Sequence, residues 1–250
     1  MALTDEQRQF LLGKVARANV RRIAGGAGGY SPSSAPGAQI YVDSNSGFTH
    51  SSGVVSAWDG LNGFVDGGNG PTWDQVVGGE VAFDGSNDDM NANSHVGGIV
   101  SDTAGHIMMR VRRITDGERV LCNFGNTATD SNRMQFYIRA DGQVRIGNGA
   151  ERYNNTVNID DTAYHTVGVS SNGSRYLIYI DGTTYSITNG TDNGAWLSSV
   201  LTTPTNLTLG SLRIQAGSFF YNVGVKAFYY GSSELSGDDL TNVQTHLDSL

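Results

Sequence analysis

The 250-residue sequence predicts an all-β body, a sandwich or barrel, with one helix before it and a short one at its end. Short apolar runs separated by turn pairs at intervals of roughly 8–15 residues are the first reason. The second is glycine: 34 residues, against 4 prolines, scattered between those runs as many tight turns require. A third is a surface rich in Asn, Ser and Thr, with charged residues only 16% of the chain.

Residues 1–24 read as an amphipathic helix. Thr4 and Gln7 have capping-box spacing, Asp5 and Glu6 suit the first turn, and Lys14, Arg17, Arg21 and Arg22 follow. Phe10, Leu11, Val15, Ala16, Val20 and Ile23 recur at helical spacing until Gly25-Gly26. Residues 25–37, rich in Gly, Ser and Pro, read as a linker. A lone amphipathic helix cannot bury its apolar face. It must dock on the sandwich, on copies of itself or on another protein; the linker, unnecessary for docking in cis, favours the last two, and so a homo- or hetero-oligomer.

Residues 38–250 carry the strand pattern. Arg133–Arg139 and Val144–Ile146 flank Asp141-Gly142 as a hairpin. His165–Val169 turns at Asn172-Gly173 into Tyr176–Ile180, which turns at Asp181-Gly182 into Thr184–Ile187. Leu207–Gly210 and Val223–Tyr230 supply later strands. A final helix is expected, with Ser236 as cap, Asp238 and Asp239 in the first turn, and Leu240, Val243 and Leu247 on one face.

A net charge of −8 excludes a nucleic-acid duplex as the expected partner, since phosphate contacts need clustered cations. Arg110 and Arg112 share a strand face, read here as solvated. The single cysteine, Cys122, forbids an intrachain disulfide and is expected in the core. No apolar run reaches the roughly 18 residues of a membrane helix, so no membrane insertion is expected. Asp5, Glu6 and Gln7 stand where a signal peptide is basic and then apolar, so synthesis in a bacterial cytoplasm is expected.

Four segments together resemble the concanavalin-A-like and laminin-G-like jelly-roll lectin domains. They are Val81–Asp89, Ala163–Val169 with Tyr176–Gly182, Leu207–Gly210 with Phe220–Lys226, and Glu234–Leu240. The resemblance implies a two-sheet antiparallel jelly-roll sandwich. Tyr41–Ser44, Gly53–Gly60 and Gly70–Trp73 are similar to the opening of lectin-like modules on bacteriophage virion proteins, except that Asp59 follows Trp58 directly. With the helix and linker, this resembles fibre and spike proteins of phages or gene-transfer agents.

Glucan-cleaving relatives of the fold resemble one another in a Glu-x-Asp-x-x-Glu strand. Here the glutamates are Glu6, Glu80, Glu118, Glu151 and Glu234, and no two are close enough to build it. Glu80 and Asp84 share a face without the other members. Calcium is the candidate cofactor, with Asp84, Asn87, Asp88 and Asp89 offering oxygens from one loop, although Asp-Gly-Ser-Asn is also good turn chemistry. His165 reads as a structural hairpin residue and Trp58 as core. Sugar binding needs exposed rings and amides. The candidates are Trp73, Tyr153, Asn154, Asn155, Asp192, Asn193, Trp196 and Tyr221.

The leading functional expectation is a non-enzymatic virion accessory protein, a head or tail fibre or spike subunit. Its partners are a host cell-surface polysaccharide and, through residues 1–24, other virion proteins. The alternatives are a structural decoration protein without sugar binding and a glycan-cleaving enzyme with an atypical acid pair.

Overall fold

The computed structural model describes residues 30–250 apart from 46, 75–78, 116–118, 127–128, 148–149 and 215–216. The expected N-terminal helix and the start of the linker lie outside the described residues.

The strands follow the turn-punctuated runs. They begin with β1 (Ala38–Asp43), β2 (Phe48–Ser51), β3 (Val54–Trp58), β4 (Phe64–Asp66), β5 (Thr72–Asp74), β6 (Glu80–Asp84) and β7 (Met90–Asn91). After a short helix, α1 (Val96–Ile99), come β8 (Gly105–Arg113), β9 (Arg119–Asn126), β10 (Thr129–Ile138), β11 (Val144–Gly147) and β12 (Glu151–Tyr153). Next are β13 (His165–Ser171), β14 (Tyr176–Ile180), β15 (Thr183–Ser186) and the helical turn α2 (Leu197–Val200). The chain ends with β16 (Asn206–Leu209), β17 (Ser211–Ile214), β18 (Gly217–Phe220), β19 (Asn222–Gly231) and the helix α3 (Gly237–Asp248).

Every pairing in the ladders is antiparallel, and the strands form two layers. One runs β15-β14-β13-β8-β19, with β6 beside the first half of β19 and β1 beside the second. The other runs β12-β11-β10-β9-β16-β7. Strands β2 to β5 join the layers along one edge. Between the layers sits one apolar core. It includes Ile107, Met109 and Val111 of β8, Val167 and Val169 of β13, Phe124 of β9, Phe136 of β10 and Phe228 of β19. Alternation along each strand sends these side chains inward and their neighbours outward. Trp58 is fully buried, donates from Nε1 to the Asp43 carbonyl at 2.8 Å and, like Cys122, belongs to this core.

The expected hairpins form. Ile138 pairs with Val144, Val167 with Ile180, and Ile180 with Thr183. The last turn places Asp181 at φ 44° and Gly182 at φ 86°, the doubly left-handed geometry that favours Asp-Gly.

Helix α3 lies on the outer face of the β8 layer. Val243, Leu247 and Leu235 pack there with Met108, Tyr179, Ala227 and Tyr229. Ser236 holds the cap position but makes no side-chain capping bond, contrary to expectation; Asp238 and Asp239 do occupy the first turn. The described part of the expected linker is also not a free spacer. Pro32–Ser34 form a 3-10 turn, Pro32 is buried, and Ala35 and Tyr30 join the α3 cluster. The apolar side chains of Tyr30, Pro32 and Ala35 explain the difference, because they add to a cluster that α3 leaves incomplete.

Candidate functional site: a cationic recess beside the last helix

Strand β8 turns Ile107, Met109 and Val111 to the core and His106, Met108, Arg110 and Arg112 to the outer face. Helix α3 covers the His106 end. The arginine end is left beside the last residues of that helix, where Arg110 Nη1 meets Asp248 Oδ1 at 3.3 Å.

Across the ladder, Arg112 stands opposite Gly224 of β19. A side chain at Gly224 would occupy the place of the Glu80 carboxylate. The bare glycine therefore lets Glu80 of β6 reach across to Arg112. Arg112 Nε donates to Glu80 Oε2 at 2.8 Å, and Nη2 donates to Oε1. The Tyr164 hydroxyl donates to the same Oε2. Three cations surround the Tyr164 ring: Lys226 Nζ at 4.3 Å from its centroid, Arg112 Cζ at 5.7 Å and Arg110 Cζ at 5.9 Å. Such rings attract cations through their negative faces.

Tyr164 is placed by its neighbour. His165 donates or accepts at both ring nitrogens, with Asp181 Oδ2 at 2.6 Å and Asp161 Oδ1 at 2.8 Å. Burial lowers the His165 pKa, but the bonds to Asp161 and Asp181 outweigh it and raise the value overall. As expected from the sequence, His165 braces its hairpin.

Three cations, Arg110, Arg112 and Lys226, stand here against the carboxylates of Glu80, Asp181 and Asp248. Glu80 is fully buried and its charge is matched by Arg112. Arg110 meets Asp248, Asp181 and the Thr166 hydroxyl, while Lys226 Nζ donates to the main-chain oxygen of Leu250 at 2.5 Å and also feels the Glu80 charge. Burial first, and then the charge of Arg110, holds the Lys226 pKa below the usual lysine value. Burial and then Glu80 push the Tyr164 hydroxyl up, and the Glu80 bond raises Arg112. The arginine side chains remain 17% and 19% exposed, so a ligand can reach them. Glu80 is already committed to Arg112 and Tyr164, so it is not free to serve as an acid or base. The arrangement is suited to holding a carboxylate against two cations and an aromatic edge.

The residues expected from the sequence to bind sugar are placed differently. Trp196 is fully buried and donates from Nε1 to the Tyr230 hydroxyl at 3.3 Å, so it is core and not a ligand platform. The reason is Gly105, whose missing side chain makes room for the indole. Asn154 is buried and donates to the Ser186 carbonyl at 2.8 Å, and Asn155 is paired with Thr188. Asp192 accepts from the Tyr176 amide at 2.6 Å and Asn193 from the Ala195 amide at 3.2 Å. All four hold loops together. Tyr153 lies under the Arg145 guanidinium, 3.8 Å from its centroid. Trp73 packs on Phe48 at 4.1 Å, and Tyr221 packs on the Val120–Tyr137–Leu212 cluster. Tyr153 and Asn155 adjoin the loop carrying Asp192 and Asn193, since Tyr153 bridges to Asn189. Trp73 and Tyr221 lie on other strands.

The candidate calcium ligands form a turn rather than a cage. Asp84 Oδ1 accepts from the amides of Ser86 and Asn87, and Asp88 Oδ2 accepts from the Asp84 amide at 2.9 Å. Asp88 and Asp89 are buried, whereas Asn87 is exposed. Among the described residues no group of three His, Cys, Asp or Glu side chains is arranged to hold a metal. Burial, with Asp84, Asp66 and Asp89 nearby, pushes the Asp88 carboxyl up to about 6.

Sequence reasoning missed Glu80, Tyr164 and Lys226 as partners and read Arg110 and Arg112 as solvated. The one usable signal was the Arg-x-Arg alternation on β8.

No protein-family model and no curated protein matches the chain. Solved structures do match. The CBM40 of a Ruminococcus gnavus IT-sialidase bound to α2,6-sialyllactose is 16% identical with a TM-score of 0.53, covering 66% of this chain and 96% of that one. A leech intramolecular trans-sialidase complexed with 2,7-anhydro-Neu5Ac is 16% identical at a TM-score of 0.53, covering 66% of this chain. This chain spans 27% of that protein. A Trypanosoma rangeli sialidase in complex with sialic acid is 12% identical at a TM-score of 0.61, covering 97% of this chain and 39% of that one. At such identities the likeness is one of fold alone, a β-sandwich.

Proposed function

We propose that this chain is a non-catalytic carbohydrate-binding protein whose recess at Arg110, Arg112, Lys226 and Tyr164 takes the carboxylate of an acidic sugar. The observation that carries this reading is the convergence of three cations on one tyrosine ring, with a single buried carboxylate among them. The structural neighbours include proteins described with sialyllactose and sialic acid bound, which supports a sialylated or similarly acidic glycan. Titration of the full chain with sialyllactose tests it. Saturable binding that weakens about tenfold or more in Arg110→Gln, with an unchanged circular dichroism spectrum, is the expected result. Equal affinity in the variant, or none for any acidic glycan, overturns the reading.

The wider role is that of a virion accessory protein, a fibre or spike subunit that attaches to host surface glycan. Its support is the sequence pattern of residues 1–24, whose apolar side chains recur at helical spacing. Tethered copies would gain avidity from weak heads. Deleting residues 1–24 should abolish association with particles while leaving glycan binding intact. Association that survives the deletion removes this role.

A further inference from the structure

A groove of about 390 Å³ opens at the opposite end of the β8 layer, between β1, the loop after β3 and α1. Its walls are Ala38, Gln39, Leu61, Asn62, Ser94, His95, Gly98 and Ile99, and no Asp, Glu, Lys or Arg is among them. The volume falls in the range of small-ligand sites. Ala38, Leu61 and Ile99 supply an apolar wall.

Three polar side chains on these walls keep hydrogen-bonding capacity for a ligand. Asn62 holds a left-handed backbone, φ 53°, and its Nδ2 donates to the Gln39 carbonyl at 2.7 Å. That bond fixes the amide and leaves Oδ1 free to accept. The Ser94 hydroxyl and the His95 ring make no hydrogen bond among the described residues. On α1, a side chain added at Gly98 would meet nothing within 4 Å, so the groove is open there.

We infer that this groove is a second binding site, for a neutral sugar of one or two pyranose rings. The apolar wall covers the C–H face of a ring. Asn62, Ser94 and His95 supply acceptor and donor groups to hydroxyls, and the absence of charged walls favours a neutral ligand. The site is independent of the cationic recess. Along β19, Gly224 opposite Arg112 and Tyr230 opposite Ile40 are separated by strand length of roughly 20 Å. A disaccharide in one site does not touch the other.

The test is nuclear magnetic resonance titration of the full chain with D-galactose, N-acetyl-D-glucosamine and lactose. At least one sugar should give saturable millimolar shifts at the Asn62 side-chain amide and the His95 ring, with Tyr164 unmoved. Gly98→Leu fills the groove from a position with open space, so it should weaken binding tenfold or more without lowering Tm. Asn62→Gly, which keeps the left-handed backbone, should also weaken it. No saturable shift with any of the three sugars, shifts that survive Gly98→Leu, or shifts centred on Tyr164 would overturn the site. Because the probes are uncharged, failure here leaves the acidic-glycan reading standing, and the reverse also holds.

Discussion

Two buried polar groups lie on opposite outer faces of the sandwich, and they are built differently. On the β8 layer, Glu80 is buried with both oxygens engaged by Arg112 and one also by Tyr164. On the β9 layer, Asn123, Asn206 and Ser211 are equally buried where β17 lies over β9. Yet both asparagine amides and the serine hydroxyl lack hydrogen-bond partners among the described residues. The difference teaches which cost dominates. An unpaired buried carboxylate costs far more than an unpaired amide. The fold therefore leaves Gly224 bare to give Glu80 its cation, whereas an amide without a partner costs only roughly 1–3 kcal/mol.

The largest expected effect breaks the charged side of this comparison. Glu80→Ala leaves Arg112 and Tyr164 stranded, and should lower the unfolding free energy in urea by about 3–5 kcal/mol. Gly224→Ala should act in the same direction, because its methyl group takes the carboxylate's place. A loss below about 1 kcal/mol for Glu80→Ala would show the pair to be an ordinary surface bridge.

On the amide side the sign reverses. Asn123→Leu replaces an unpartnered polar group with an apolar one of similar size, and should stabilise by about 1–2 kcal/mol. Denaturation showing a clear loss instead would mean that Asn123 has partners in solution, and the contrast between the faces would narrow.

Much of the scaffold was legible because its signals are local. Asp-Gly and Asn-Gly turns, period-2 apolar runs and the Leu240–Val243–Leu247 stripe each lie within a few residues. The recess was not, because its members meet only through lateral pairing. Glu80 and Tyr164 are 84 residues apart, and what joins them is a glycine on a third strand. Local context also misled for Trp196. Its Asp-Asn-Gly surroundings look exposed, but Gly105 on β8, far away in sequence, opens the space that buries it. The loop asparagines and aspartates were read as ligand groups, yet Asn154, Asp192 and Asn193 spend their oxygens or amides on nearby main chain.

Asp88 combines the two cases, charged like Glu80 and thinly partnered like Asn123. Its carboxyl is pushed up to about 6, first by burial and then by neighbouring carboxylates. The native state thus binds a proton more readily than the unfolded chain, and stability should rise as pH falls from above 6 towards about 4. Asp88→Asn keeps an oxygen for the Asp84 amide and removes the charge. It should stabilise by about 1 kcal/mol at neutral pH and flatten that slope. A variant that is less stable than the parent at pH 7 would contradict this.

The smallest effect belongs to His165, whose partners are half-exposed. Asp181 and Asp161 side chains are 44% and 61% exposed, so solvent screening limits the gain to a few tenths of a kcal/mol. Its pKa is raised in the folded state, so its contribution is fully present below the unfolded value of roughly 6.5. It is lost as pH rises through the folded value. Asp161→Asn removes one of the two carboxylates. The parent should therefore exceed this variant in Tm on the acid side of neutrality, by a margin that shrinks as the solution becomes basic. A margin that stays constant across that range would mean that His165 holds Tyr164 in place as a neutral hydrogen-bonding group. The bracing of the recess would then owe nothing to charge.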